Sequence, residues 1–217
     1  MEEFVMVLDT ETANDLDCPM MYDLGFAVVR PYVGEVIDTR SFVVADVFLD
    51  KELMESAYFA EKIPQYWDEI KAGKRELKRL YNVRKAVADT MRQYDIKKVF
   101  AHNMLFDYRS TNGTLRYLTA SKMRWFFPYG TEMCDTLKMA RATLKDNDDY
   151  GKFCFENGLM TKRNGRKYTA EAIYKWLTDN AEFAEEHTGL EDVLIEKEIL
   201  KYCLSVNPNQ NCLLWNK

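Results

Sequence analysis

The sequence predicts an α/β protein with a mixed central β-sheet flanked by helices. Three extended apolar runs come first, at residues 5–12, 22–30 and 36–44, and short strands then alternate with helical segments. Strands that come first, followed by alternating strands and helices, are typical of a mixed sheet with helices packed on it. No internal repeat or low-complexity stretch interrupts this order of elements.

The first extended run carries two acidic residues at its end. Residues 4–8 are too apolar for an exposed strand, so we predict a buried strand whose terminal carboxylates lie at the edge of the core. Side chains two apart on a strand share a face, and Asp9 and Glu11 therefore project together. The breaker at residues 31–34 separates the next two runs, which we predict to form a hairpin beside the first strand.

The rest of the chain supplies helices and two short strands. The predicted strands are residues 98–101 and 132–135. The predicted helices lie near 51–60, from Pro64 onward, from a cap near Asn82, and at 106–117, 136–141, 149–159, 169–176 and from Asp192 onward. A basic stretch at 162–167 contains Asn-Gly and is expected to be a solvated hairpin, or a phosphate-contacting arm if it lies near a site.

Length and composition favour one domain. A chain of 217 residues with 47% hydrophobic content can bury a sizeable core. We predict a single domain over residues 1–217, with its core at about 4–203 and a short tail at 207–217 that packs back on the body. The alternative for the tail is a partner-binding peptide. The five cysteines are scattered and never spaced as CxxC, so neither a disulfide framework nor a zinc cluster is expected.

Charge and hydropathy limit the partners and the compartment. A net charge of -5 argues against a broad basic surface for duplex nucleic acid, although a local site could hold strand ends through metal ions. The sequence begins with the letters MEEF, acidic where a signal peptide is positive, and no apolar run has the ~18 residues of a membrane span. We therefore expect a cytoplasmic protein with no membrane partner.

The candidate site residues each have an ordinary explanation when taken alone. Asp9 and Glu11 could form a solvated strand face, Asp107 could cap a helix, and His187 could be a surface group. The second histidine, His102, is expected to be a hydrogen-bonded structural group. A strand-to-helix junction such as that before Asp107 is nevertheless where open α/β sheets place site residues.

The combination of these residues has a family pattern. Three segments resemble, in order and at typical separations, the exonuclease motifs of the DnaQ-like DEDDh family: Asp9-Thr10-Glu11-Thr12, Ala101-His102-Asn103-x-x-Phe106-Asp107 and His187-x-x-x-x-Asp192. The segment CDTLKMAR at 134–141 is similar to a D-T-L-x-x-A-R stretch of the same family. The family includes proofreading exonuclease subunits, RNase T and oligoribonuclease, and the resemblance spans about residues 4–203.

The resemblance implies an RNase H-like fold and a two-metal phosphodiesterase site. Its metal ligands would be Asp9, Glu11, Asp107 and Asp192, with His187 as the general base, and all five would be catalytic. Hydrolysis of a phosphodiester needs charge stabilisation on both the attacking and the leaving oxygen, which two divalent ions supply. Hard ions such as Mg²⁺ or Mn²⁺ select carboxylate oxygens, in agreement with this ligand set. We expect the acidic cluster to raise the pKa of the histidine above ~6.5.

Substrate contacts are expected within the same motifs. Thr12, Asn103 and Phe106 are the predicted substrate-binding residues, and Tyr108 is a further candidate for base stacking. Phe106 could instead pack in the core. Many relatives have Thr-Gly after the first motif, whereas this chain has Ala13-Asn14, a departure in the loop that would receive the terminal nucleotide.

The resemblance implies a 3′–5′ exonuclease that releases nucleoside monophosphates from single-stranded or frayed DNA or RNA ends. The expected partners are those ends and, as a further option, a polymerase or another replication or repair protein. One alternative is a non-catalytic end-binding or polymerase-accessory module on the same fold. Another is a phosphatase or nucleotide hydrolase that uses the same carboxylates.

Overall fold

β1 (Val5–Ala13) lies inside a mixed sheet, and the other elements are arranged around it. The computed structural model describes residues 3–120, 122, 124–185 and 187–215. Along the chain, the further strands are β2 (Met20–Arg30), β3 (Glu35–Val44), β4 (Glu76–Lys78), β5 (Lys98–Ala101) and β6 (Glu132–Asp135). The helices are α1 (Ala45–Phe48), α2 (Lys51–Glu55), α3 (Ile63–Lys71), α4 (Leu80–Gln93), α5 (Met104–Leu118), α6 (Thr136–Leu144), α7 (Asp148–Glu156), α8 (Ala170–Leu177) and α9 (Gly189–Val206).

In the described part of the chain, six strands form one sheet in the order β4-β3-β2-β1-β5-β6. β1, β2 and β3 pair antiparallel, whereas β5 runs parallel to β1 and β6 runs parallel to β5. The predicted mixed central sheet is therefore confirmed. Because β1 and β5 are parallel, their C-terminal ends meet at one edge of the sheet, where Asp9 and Glu11 are located.

The side chains of β1 divide the core between the two faces of the sheet. Met6 and Leu8 pack on one face with apolar residues of α4 and α5. Val5 and Val7 pack on the other face with apolar residues of α6 and α9. This alternation follows from the two-residue period of a strand whose faces are both covered.

Several predicted boundaries shift, each for a local reason. The segment 51–60 contains only the short helix α2, and a 3₁₀ helix, Ala60–Lys62, follows it. α4 begins at Leu80 rather than near Asn82, since the carboxylate of Asp46 accepts a hydrogen bond from the Leu80 backbone N–H and supplies the missing cap. α7 ends at Glu156 rather than residue 159. Strand β4 was not predicted, because three residues carry no readable alternation.

The tail returns to the sheet, as the sequence predicts. Leu213 forms an antiparallel bridge with Cys134 of β6, and the Leu214 backbone N–H donates to Met133 O. Residues 216 and 217 lie outside the described residues. Among the helices in the described part of the chain, none combines the length and the apolar character that a membrane span requires.

Candidate active site

The four predicted acidic ligands and His187 line a single cavity at the C-terminal ends of β1 and β5. The cavity has a volume of about 500 Å³. β1 supplies Asp9 and Glu11, the first turn of α5 supplies Asp107, and the first turn of α9 supplies Asp192. Residues that are 183 positions apart in the sequence are thus brought together by three elements of the core.

Three of these carboxylates form a tight cluster. One carboxylate oxygen from each of Asp9, Glu11 and Asp192 lies within 4.8 Å of the other two. Asp192 is buried, and the two β1 residues are half-buried. Side chains at this separation can share a cation, whereas without one their like charges repel each other.

Asp107 faces the same cavity and is held by β1. Its Oδ1 accepts a 2.9 Å hydrogen bond from Thr10 Oγ1, and the Thr10 hydroxyl also lies 2.9 Å from Ser110 Oγ. Asp107 is almost fully buried. It is not a helix cap, since α5 begins earlier than predicted and Asn103 occupies the N-cap position with a left-handed φ of 76°. A buried carboxylate with this fixed rotamer is available to a ligand in the cavity.

The position of α9 depends on close contact between its first turn and β2. Asp23 of β2 accepts a 3.0 Å hydrogen bond from the Gly189 backbone N–H and a 2.7 Å bond from the Tyr66 hydroxyl. A side chain at Gly25 would place its Cβ 2.2 Å from the Leu190 backbone nitrogen. The absence of a side chain at this position lets α9 approach the sheet, and this approach carries Asp192 to Asp9 and Glu11.

Burial raises the pKa of Asp107 and of the three carboxyl groups in the cluster. The pKa rises to about 9 for Glu11 and to about 8 for Asp192, in both cases mainly through desolvation and then through neighbouring carboxylates. Desolvation raises the pKa of Asp107 to about 7, although the hydrogen bond from Thr10 opposes the shift. The pKa of Asp9 is also raised well above its ordinary value, by burial and then by Asp107. A positive charge in the cavity would stabilise the deprotonated forms.

A divalent metal fits this donor set. Asp192 Oδ1 is buried and has no hydrogen-bond partner among the described residues. A buried acceptor without a partner is costly, and a cation would remove that cost. The cluster offers carboxylate oxygens alone, the ligand type that Mg²⁺ and Mn²⁺ prefer.

His187 lies at the mouth of the cavity in a left-handed backbone conformation, with φ at 49°. Its ring stacks on Phe59 at a centroid distance of 4.5 Å and an interplanar angle of 10°. Nδ1 is 3.8 Å from Glu185 Oε2. Burial and then the charge of Lys62 lower the pKa of His187, so the expected upward shift was wrong. Stacking on Phe59 partly desolvates the ring, and this cost outweighs the attraction of the acidic groups.

The fold of this chain is similar to that of several solved nuclease structures. No protein-family model matches the chain, and no curated protein matches it in sequence. The solved nuclease domain of 3′hExo, a DEDDh family member bound to rAMP, aligns with a TM-score of 0.67 at 11% identity, covering 100% of this chain and 97% of that one. A 3′-exonuclease solved for recognition of a histone mRNA stem-loop aligns at 0.63 and 10% identity, covering 95% and 83%.

A third similar structure is that of a bacterial enzyme. E. coli exonuclease I in a complex with single-stranded DNA aligns with a TM-score of 0.55 at 13% identity, covering 96% of this chain and 42% of that one. The chain has the fold of the DEDDh 3′-exonucleases. At these identities the likeness establishes the fold alone.

Within this DEDDh fold, the predicted substrate-binding residues divide into two groups. Asn103 and Phe106 line the cavity, and Phe106 is half-buried rather than fully buried in the core. Thr12 is not among the described residues that line it. The β1–β2 register shifts between Glu11 and Thr12. Thr10 lines the cavity instead.

Two further carboxylates of the cavity were missed by the sequence analysis. Glu196 is buried one turn after Asp192 on α9, and its Oε2 accepts a 3.1 Å hydrogen bond from the His102 backbone N–H. The four-residue spacing from Asp192 could have revealed it, since such residues share a helix face. Glu185 also lines the cavity, and burial raises its pKa to about 7; it precedes α9 and has no periodic signal.

The second histidine and the basic segment have structural contacts. His102 Nε2 lies 2.7 Å from Tyr168 O and Nδ1 lies 3.1 Å from Thr136 Oγ1, in agreement with a hydrogen-bonded structural group. The segment 162–167 forms a bridged turn that reaches the cavity. Its Arg166 guanidinium donates to the backbone oxygens of Leu144, Lys145 and Asn147, so this cation holds the turn on the end of α6.

Proposed function

We propose that this protein is a metal-dependent 3′–5′ exonuclease that releases nucleoside monophosphates from single-stranded or frayed ends of DNA or RNA. The observation that carries the proposal is the convergence of Asp9, Glu11 and Asp192 within 4.8 Å, beside Asp107 and His187 in one cavity. The likeness to 3′-exonuclease structures supports the reaction class at the level of the fold.

The four acidic residues would hold two divalent ions, Mg²⁺ or Mn²⁺. Bound there, the ions would supply Lewis-acid stabilisation of the attacking and leaving oxygens of the phosphodiester. Asp9 and Glu11 come from one rigid strand, and Asp107 is fixed by Thr10. Preorganised ligands of this kind keep their geometry as charge develops on the phosphate.

His187 is proposed as the general base. Its lowered pKa keeps the imidazole neutral at neutral pH, which is the form that accepts a proton from water. Glu185 lies on the Nδ1 side of the ring, and Nε2 is therefore assigned to the attacking water. The stacked contact with Phe59 fixes the plane of the ring at the cavity.

The substrate end is proposed to lie against Asn103 and Phe106. Phe106 offers an aromatic face to a base, and such stacking tolerates any sequence. Thr12 does not line the cavity, and its contact with the substrate stays a prediction. A polymerase or another replication or repair protein likewise stays a prediction as a partner.

The test compares Asp192→Asn with the matched surface variant Asp68→Asn on end-labelled single-stranded DNA, RNA and duplex. Asp68 is an exposed residue of α3. With Mn²⁺ or Mg²⁺ we expect wild type and Asp68→Asn to shorten single strands, and Asp192→Asn to lose the activity by ~10²-fold or more. Chelator should stop the wild type.

Two results would replace this function by the alternatives. A wild type that binds single strands in metal but yields no product would be an end-binding module. Release of phosphate from mononucleotides, at a rate that does not depend on a chain attached to them, would indicate a phosphatase or nucleotide hydrolase.

A further inference from the structure

A second pocket lies on the other side of α5 from the acidic cavity, and its composition is aromatic and basic. Its volume is about 660 Å³, larger than that of the acidic cavity. Phe106 and Asp107 of α5 line the acidic cavity, whereas Tyr108 and Asn112 line this pocket. The described residues that line it are Arg84, Tyr108, Asn112, Lys122, Arg124, Trp125, Phe127, Pro128, Tyr129, Thr131, Met133 and Trp215.

Two exposed tryptophans of the pocket, Trp125 and Trp215, have contacts that anchor them. The Trp125 side chain is exposed (58%), yet its backbone oxygen accepts a 3.1 Å hydrogen bond from Arg84 Nε. The next residue, Phe126, is buried, and its backbone N–H donates to Asn112 Oδ1 at 2.8 Å. Trp215 is 51% exposed and packs edge-on against Tyr108 at 4.8 Å. Exposed aromatic groups on an anchored backbone indicate a surface that binds a ligand or a partner molecule.

The charge of the pocket is opposite to that of the whole protein. Among the described lining residues there is no Asp or Glu, and Arg84, Lys122 and Arg124 have no ion pair with a described carboxylate. Arg116, beside the pocket, places its guanidinium 5.2 Å from the centre of the Trp125 ring. In a chain of net charge -5, a group of cations without carboxylate partners favours a polyanionic ligand.

We propose that this aromatic–basic pocket binds single-stranded nucleic acid, with bases stacked on Trp125, Tyr129 and Trp215 and phosphates paired with Arg84, Lys122 and Arg124. Exposed rings beside a positive groove are the combination that binds single strands without sequence preference. This inference rests on the proposed function, because it assigns the pocket to the strand 5′ of the end held in the acidic cavity. A helix is ~10 Å across with its side chains, so one short strand can reach both sites across α5.

The test measures binding of a fluorescent single strand by anisotropy, with the full chain in chelator so that no cleavage occurs. Trp125→Ala should raise the Kd about tenfold, the usual effect of losing one stacking ring. Trp125→Phe keeps a ring and should restore most of the affinity. Arg124→Ala should lower the slope of log Kd against log salt by about 0.7, the value for one phosphate contact on a single strand.

The matched controls are Phe155→Ala and Lys152→Glu, two exposed residues of α7 on the other face of the sheet. Both should bind like wild type. A Kd that is equal in Trp125→Ala and Phe155→Ala would overturn the proposal. Aromatic grooves also bind proline-rich peptides, so such a peptide serves as a competitor. If the peptide binds in the pocket and the oligonucleotide stays bound, the proposal is also overturned.

Binding and cleavage separate the two proposals. If the protein cleaves strands and the Trp125 and Arg124 variants bind like wild type, the pocket assignment fails and the exonuclease stands. If no strand is cleaved under any metal and both variants still lose affinity, the exonuclease fails and the pocket remains a nucleic-acid site.

Discussion

Gly25 of β2 and Gly189 of α9 lie in backbone contact, and neither position has room for a side chain. A Cβ on Gly25 would lie 2.3 Å from the Gly189 carbonyl carbon, and a Cβ on Gly189 would lie 2.7 Å from the Gly25 nitrogen. This contact sets the distance between the sheet and the helix that carries Asp192. The acidic cluster therefore depends on two residues without functional groups.

Gly25→Ala should destabilise the protein by about 3 kcal/mol or more, because the methyl group meets backbone that cannot move aside. Chemical denaturation measures the change. Gly113→Ala is the matched control: a Cβ there would have only an ordinary 3.6 Å contact, and alanine in a helix should be neutral or stabilising by up to about 1 kcal/mol. Equal midpoints for the two variants would show that α9 is not closely packed on β2.

Arg75→Leu should cost about 3 to 5 kcal/mol, since it leaves the buried Asp23 carboxylate without its cation. Arg75 Nη1 lies 3.1 Å from Asp23 Oδ2, and Nη2 donates to Glu191 of α9 at 2.8 Å. Urea unfolding tests this, with the exposed Arg92→Leu as control, expected to lose less than about 1 kcal/mol. If Arg75→Leu and Arg92→Leu unfold at the same urea concentration, the buried network does not anchor α9.

In chelator, the melting temperature should fall as the pH rises from about 4 toward about 9. Unfolded carboxyl groups release protons near pH 4, whereas the folded pKa is about 7 for Asp107, about 8 for Asp192 and about 9 for Glu11. Between these values the folded state holds protons that the unfolded state has lost, so stability decreases with pH. A flat profile in differential scanning calorimetry would contradict the raised pKa values.

Millimolar Mn²⁺ should raise the melting temperature at pH 8, because an ion that binds only the folded cluster stabilises it by mass action. Asp9→Ala should fold normally, since it removes a repelling carboxylate, and should lose this metal-induced shift together with turnover. Asp68→Asn serves as the control and should keep the shift. A shift of equal size in Asp9→Ala would place the metal elsewhere.

His187→Ala should lower the turnover rate by ~10² to 10⁴ while single-strand binding survives. Because burial and Lys62 lower the pKa of His187, the wild-type rate should rise with pH and level off below about 6.5, the ordinary value. The variant should lack this limb of the pH–rate profile. Unchanged rate and profile in the variant would remove His187 from the mechanism without affecting the carboxylates.

The sequence was sufficient to predict the bounds of the elements that carry long apolar patterns. β1, β2 and β3 lie within a residue or two of their predicted bounds, because buried strands of nine or more residues show the pattern clearly. The grouping of Asp9, Glu11 and Asp192 was implied by the resemblance to the exonuclease motifs, and in the structure these three carboxylates lie close together. Short elements such as β4 carry too few residues for a pattern to be visible.

The features that the sequence could not supply depend on distant contacts. The pocket residues Arg84, Trp125 and Trp215 are scattered over much of the chain. A hydrogen bond joins Arg84 to Trp125, and the return of the tail to β6 adds Trp215. The pKa of His187 was predicted in the wrong direction because its stacking partner, Phe59, lies on a separate segment. Asp23 gave no signal, since its role depends on Arg75 and Gly189.

The most direct measurement follows a single strand that carries one label at its 5′ end and a different label at its 3′ end, in Mg²⁺ or Mn²⁺. The account predicts that the 3′ label leaves at once on a nucleoside monophosphate, while the 5′-labelled strand shortens one nucleotide at a time and chelator stops both events. Internal cuts, loss of the 5′ label first, or strands that stay intact in every metal would contradict it.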